Sequence, residues 1–189
     1  APNFVWIKCR NNAQNHNLFD TVRGATESLE SNNTNTENTD ATSLKSFTSD
    51  GYTLGTGATV NSSSPSTKTY VGWNWKESAT AGFDIVTYTG NDTARTISHS
   101  LSAVPHFMIV RNRSEVSGDG AWQVYHGANT AAPETDNLQL AISNPTEDSA
   151  VIWNDTAPTS SVFSVGSHLT VNGDGNAMLA YLWSEKQGF

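Results

Sequence analysis

TYVGWNWKESATAGFDIVTYTGN, residues Thr69 to Asn91, decides the fold. Tyr70, Gly72, Asn74 and Lys76 alternate with Val71, Trp73 and Trp75. After a run of small residues, Phe83, Ile85 and Thr87 alternate with Asp84, Val86 and Tyr88. Period-2 alternation of aromatic and β-branched residues between turn formers predicts two successive strands. The first half of this stretch recurs at the other end of the chain. MLAYLWSEKQGF (Met178 to Phe189) sets Trp183 on Trp75, Glu185 on Glu77 and Gly188-Phe189 on Gly82-Phe83.

The echo extends outward in both directions. PNFVWIKCRN from Pro2 matches PHFMIVRNRS from Pro105, with proline, phenylalanine, an apolar triplet and basic residues in step. HNLFD (His16 to Asp20) pairs with WQVYH (Trp122 to His126), YTLG (Tyr52 to Gly55) with FSVG (Phe163 to Gly166), and Val60-Asn61 with Val171-Asn172. Five blocks in one order, spaced unevenly only across polar segments, predict two copies of one unit of about 106 residues, an ordinary domain length. The boundaries that follow are 1–81 for a first β repeat and 82–189 for a second. The second owns a hairpin, Phe83–Ala103, with no counterpart in the first. The sequence therefore predicts an open sheet edge, covered by continuation of the polypeptide or by another subunit.

Composition narrows the class. Hydrophobic residues make up 36% and charged residues 15%, and the 6 Trp, 5 Tyr and 7 Phe are enough for compact cores. The net charge of -8 leaves no basic face to displace phosphate counterions, so a nucleic-acid partner is not expected. No apolar run reaches the length of a membrane-spanning helix, and membrane insertion is not expected either. The single Cys9 has no partner for an internal disulfide, leaving stability to packing.

In chain order, strands are predicted at Phe4–Lys8, Leu18–Val22, Ser46–Gly55 around an Asp50-Gly51 turn, Ala94–Ser98, Phe107–Arg111 and Trp122–His126. The last two are separated by a Gly118–Gly120 turn, and Leu138–Ile142, Ala150–Trp153, Ser161–Val165 and Met178–Trp183 complete the series. Thr26–Glu30 suits a short helical turn. The Asn/Thr-rich segment that follows and residues Thr56–Lys68 read as exposed loops. Many short strands with no long amphipathic helix predict an all-β, antiparallel sandwich or jelly roll.

Little in the chain announces chemistry. His16, His99, His106, His126 and His168 lack metal-ligand spacing, and no metal or cofactor is expected. SGDGAW (Ser117 to Trp122) and VNGDGNA (Val171 to Ala177) hint at calcium loops, but without alternating carboxylates they read as turns. No nucleophile–base arrangement is visible, so the expectation is not an enzyme. Among the six tryptophans, Trp75 and Trp183 occupy equivalent strand positions and are assigned to the core, and Trp73 with them. Trp122 and Trp153 are less constrained and are the candidates for ligand binding, by stacking on a sugar.

Taken together, PNFVWIKCRNNAQNHNLFDTVRGA, SFTSDGYTLG, YVGWNWK, TAGFDIVTYTGN, PHFMIVRNRS, WQVYH and WNDTAPTSSVFSVG resemble a repeat domain strung in tandem along large virion proteins of tailed phages, especially marine phages and cyanophages. The resemblance covers nearly the whole chain. It implies a place, the virion surface, and brings no catalytic or binding residues with it. The expectation is a non-enzymatic structural or adhesive component of a phage virion, a segment of a tail fibre or tail appendage. The alternatives are a capsid decoration or head-fibre protein, or a carbohydrate-binding module of a surface adhesin. Implied partners are other virion proteins, copies of itself in a homo-oligomer such as a trimer, and a host-surface glycan.

Overall fold

The computed structural model describes residues 1–63, 67–114 and 121–187. The predicted Gly118–Gly120 turn, most of SGDGAW, and Gly188-Phe189 lie outside them. The described chain is all-β with two four-residue helices. It divides into two compact units, Ala1–Lys76 and Glu77–Phe189. The sequence had placed that division after Ala81.

The first unit contains β1 (Phe4–Cys9), β2 (Asn17–Asp20), β3 (Gly24–Glu30), β4 (Asn38–Thr39), β5 (Leu44–Phe47), β6 (Tyr52–Leu54) and β7 (Tyr70–Trp75). Its main sheet runs β4-β3-β2-β1-β7, antiparallel throughout, and β5 pairs with β6 in a separate ribbon. Alternation along β1 sends Val5 and Ile7 to one face, where they pack with Phe19, Leu44 and Val60. Phe47, Tyr52 and Leu54 of the ribbon close over this core.

The second unit contains β8 (Phe83–Thr89), β9 (Arg95–Ser98), β10 (Pro105–Asn112), β11 (Trp122–His126), β12 (Asp136–Leu140), β13 (Glu147–Asp148), α1 (Ala150–Trp153), β14 (Val162–Val165), α2 (Leu169–Asn172) and β15 (Ala177–Ser184). The sheet order is β13-β12-β11-β10-β15-β8, with β14 pairing β9 apart from it. Met108, Val110, Tyr125, Ala180 and Leu182 of the sheet meet Ile97, Phe163 and Val165 of the ribbon and Ile152, Trp153 and Val171 of the helices. Each unit is thus a sheet packed under a two-stranded ribbon.

The two sheets share a strand order, and the six-stranded one adds β8. Phe4 lies opposite Trp75 and Phe107 opposite Trp183, with ring centroids 5.1 and 5.2 Å apart. The chain of 189 residues is nevertheless too short for two whole units of about 106.

Four local expectations are corrected. Thr26–Glu30 is extended, because β2 pairs with it from Asn17↔Glu30 to Asp20↔Gly24 and supplies the hydrogen bonds a helical turn would otherwise make internally. The segment after it is not all exposed loop, since Ser31 is buried and β4 pairs onto β3. Ala150–Trp153 is a helical turn that places the consecutive residues Ile152 and Trp153 in the core, which strand alternation would forbid. Phe83–Ala103 is not a hairpin. β8 pairs with β15 and β9 with β14, because Asn91 and Asp92 donate their N–H groups to the Asn172 carbonyl and turn the chain away.

Candidate functional site

Trp122 and Trp153 are not stacking surfaces. They are 0% and 1% exposed, and a buried ring has no face to offer a sugar. The Arg111 guanidinium sits over the Trp122 ring at 5.2 Å, and burial lowers its pKa to about 10. Trp153 meets Tyr125 edge-on at 6.1 Å and donates its indole N–H to the Asp136 carbonyl at 3.1 Å. Both are core.

The exposed aromatics are elsewhere. Trp73 is 45% exposed and not in the core, and Trp75 and Trp183 are only half-buried. The register Phe4↔Trp75, Trp6↔Trp73 puts these four rings on one face of the first sheet. Trp6 and Trp73 meet edge-on at 6.3 Å, and with Trp75 they line an apolar hollow of about 290 Å³. Lys8 and His16 flank the row, with Lys8 Nζ 2.5 Å from His16 Nε2. Burial and the Lys8 charge both hold His16 below its ordinary pKa.

A polar cleft opens at the outer edge of the second sheet. The short strands β11, β12 and β13 bring Gln123, Asn137, Gln139, Glu147 and Asp148 to it, and Ser149 and His168 also line it. Its volume is about 300 Å³. Gln123 and Asn137 are buried, and the Asn137 amide donates to Gln123 Oε1 at 2.9 Å. His168 is oriented by its cap on α2, where Nδ1 accepts the Thr170 N–H at 3.2 Å.

The first unit carries a cleft at the matching place, about 360 Å³ in volume, lined by Asn17, Ser28, Glu30, Asn38 and Asp40. The registers Asn17↔Glu30 and Gln123↔Gln139 align Asn17 with Gln123, Glu30 with Gln139 and Ser28 with Asn137. Ser28 donates to Asn17 Oδ1 at 3.0 Å, as Asn137 does to Gln123. Burial pushes Asp40 upward, but hydrogen bonds from Ser43 and Thr42 outweigh it and hold the carboxyl below its ordinary value. The amides of these rows do not titrate, and what they can offer a ligand is hydrogen bonding. Among the described residues, no three His, Cys, Asp or Glu side chains converge on a metal position.

Sequence reasoning missed these rows. The available signal was a polar residue at inward parity: Gln123 shares its face with Tyr125, within a strand otherwise rich in apolar residues.

A family model described as "Domain of unknown function (DUF7483)" matches residues 1–189. The chain belongs to this family. Comparison with curated proteins and with solved structures returns no match. The family carries no assigned activity, so the clefts and the tryptophan row are what the chain itself offers for a functional reading.

Proposed function

We propose that the chain is a non-enzymatic structural and adhesive component of a phage virion, a segment of a tail fibre or tail appendage built from two versions of one sandwich-like β unit. The observation that carries this reading is the shared register of the two sheets. The Phe4–Trp75 and Phe107–Trp183 pairs recur within one strand order. Modules strung along a fibre are built by such repetition, each presenting the same faces at a fixed interval. The resemblance to tandem virion repeats, an acidic polar surface and a stability that rests on packing support it. The test is antibody labelling of purified particles from a phage encoding the chain. Label on the tail or its appendages is expected. Label on the capsid favours a decoration or head-fibre protein, and unlabelled particles overturn the virion assignment.

A second reading, a carbohydrate-binding module of a surface adhesin, is favoured by the exposed Trp73 ring beside Trp6. Glycan-array binding that is lost in Trp73→Ala supports it.

A further inference from the structure

The cleft at the edge of the second sheet contains a polar atom that no group among the described residues satisfies. Asn137 is 2% exposed, its Nδ2 is spent on Gln123, and its Oδ1 has no hydrogen-bond partner. Buried acceptors are nearly always met, and one left open inside a cleft calls for a donor from outside the chain.

We propose that this cleft binds a hydroxyl-rich ligand, one hexose unit, with Asn137 Oδ1 and the Glu147 carboxylate accepting from its hydroxyls and the Gln139 amide donating to them. The chemistry of the lining selects this class. Glu147 pairs with Asn137 in the β12–β13 register and shares its face, and the neighbouring Asp148 also lines the cleft. Among the described residues no three His, Cys, Asp or Glu side chains converge here, so the cleft is a poor site for a hard cation, which gathers several anionic oxygens. The same carboxylates repel an anion. A hydroxyl both donates and accepts, so it serves the amide row in either orientation of the Asn137–Gln123 pair. The volume of about 300 Å³ is at the small end for ligand sites and suits one sugar ring.

In the first unit the chain itself supplies donors at the rim of the matching cleft. There Glu30 accepts from the amides of Asn15 at 2.8 Å and Asn35 at 3.2 Å, and also from Asn33. The chain's own loop brings amide donors to the position matching Gln139. In the second unit no donor among the described residues reaches Asn137 Oδ1. Both clefts are open, but in the first the acidic side chain is already met by the chain's own amides, whereas the second keeps a buried acceptor open.

The inference stands on this geometry whichever particle bears the chain. It is tested by titrating the 15N-labelled 189-residue chain with the methyl glycosides of glucose, galactose, mannose and N-acetylglucosamine, and with short linear oligosaccharides of each. Saturable shifts of the Asn137 and Gln123 side-chain amide signals are expected with at least one sugar. Glu147→Ala, at an exposed position, and Asn137→Leu should each weaken binding by about tenfold or more. Tighter binding of the oligosaccharide identifies a glycan chain as the source, and equal binding a free or terminal sugar. Should Asn137→Leu fail to fold, the wild-type shifts and Glu147→Ala decide. The proposal is overturned if no sugar gives saturable shifts at these amides, or if Glu147→Ala binds as wild type does. It is also overturned if Asn137→Leu folds and binds unchanged.

Discussion

Asn172 donates its side-chain amide to the Gly166 carbonyl at 2.9 Å, and Asn61 donates to Gly55 at 2.8 Å in the same arrangement. In both units the asparagine follows a buried valine, Val60 or Val171, that anchors the segment in the core. Asn172 carries more. It is fully buried, its amide also reaches the Thr93 carbonyl at 2.7 Å, and its Oδ1 accepts the Asn91 N–H. Removing it strands several polar groups, each costing about 1–3 kcal/mol when buried and unmet. Asn172→Ala should therefore lose more than about 2 kcal/mol in denaturant unfolding, and the exposed Asn61→Ala about 1 kcal/mol. Equal losses would show that the shared bond, and not its extra partners, sets the cost.

Gly55 and Gly166 are the acceptors in those bonds, and neither tolerates a side chain. A Cβ on Gly55 would sit 2.2 Å from the Thr42 carbonyl oxygen, and one on Gly166 would sit 2.1 Å from that of Val151. The obstacles are backbone atoms, which cannot rotate aside. Alanine at either position should cost at least the about 1–3 kcal/mol typical of overpacking. Gly175 is a control of another kind. It has a φ of +69° with open space around it, so Gly175→Asn, which tolerates the left-handed region, should cost under about 1 kcal/mol. Thermal unfolding of the three variants checks the order.

The tryptophans separate core from surface. Trp122→Ala and Trp153→Ala should each cost about 3–5 kcal/mol, the loss for a buried aromatic. Trp73→Ala should cost under about 1 kcal/mol, since nearly half of that residue is in solvent. Chemical denaturation decides between these values, and a large loss at Trp73 would move that ring back into the core.

What was legible in the sequence was whatever alternation alone determines. The strands β1, β7, β8, β10 and β15 follow from period-2 runs of large residues, and the Phe4–Trp75 and Phe107–Trp183 pairs from their recurrence. Partner choice was not legible. β8 reads as half of a hairpin with β9. Instead the buried amide and carbonyl of Asn172, with bonds from Gly90 to Asn176 and from Gly175 to Gly90, hold the connection so that the two strands enter different sheets. Trp122 was misplaced because a large ring in a short strand has the same local pattern in core or surface, and Trp153 because its segment reads as a strand and is the helical turn α1. Gln123 and Asn137 escaped notice because each is an unremarked polar residue until β11 and β12 pair and set them side by side.

Arg23 ties β2 to the loop after β3. Its Nε lies 2.5 Å from Asp20 Oδ2, its Nη1 2.8 Å from Glu37, and its Nη2 donates to the Leu18 carbonyl at 3.0 Å. The Arg23 and Asp20 side chains are fully buried, so removing one leaves the other as a charge inside the protein. Arg23→Ala should cost about 3–5 kcal/mol, the usual loss on breaking a buried pair. Glu37→Gln, at the more accessible end, should cost under about 1 kcal/mol. Equilibrium unfolding of both variants measures the gap, and similar losses would mean that the triad acts as one exposed network.

His16 gives the fold a pH dependence whose sign follows from its surroundings. Burial and then the charge of Lys8 lower its pKa from the ordinary 6.5. The neutral ring can accept a hydrogen bond from the Lys8 ammonium at 2.5 Å, and protonation would set two cations against each other. Below pH 6.5 the unfolded chain therefore binds a proton that the folded chain still refuses, and stability falls as pH drops through that window. The loss levels off once pH lies below the folded pKa, where both states are protonated. His16→Gln cannot titrate and should flatten this part of the stability profile, leaving stability near pH 8 little changed. Lys8→Met should keep a weaker dependence, because burial, the larger cause, remains. Denaturant midpoints of the three proteins across the acidic range, with the His16 ring titrated by NMR, give the answer. A His16 midpoint above 6.5, or an unaltered slope in His16→Gln, would place the pH dependence in another group.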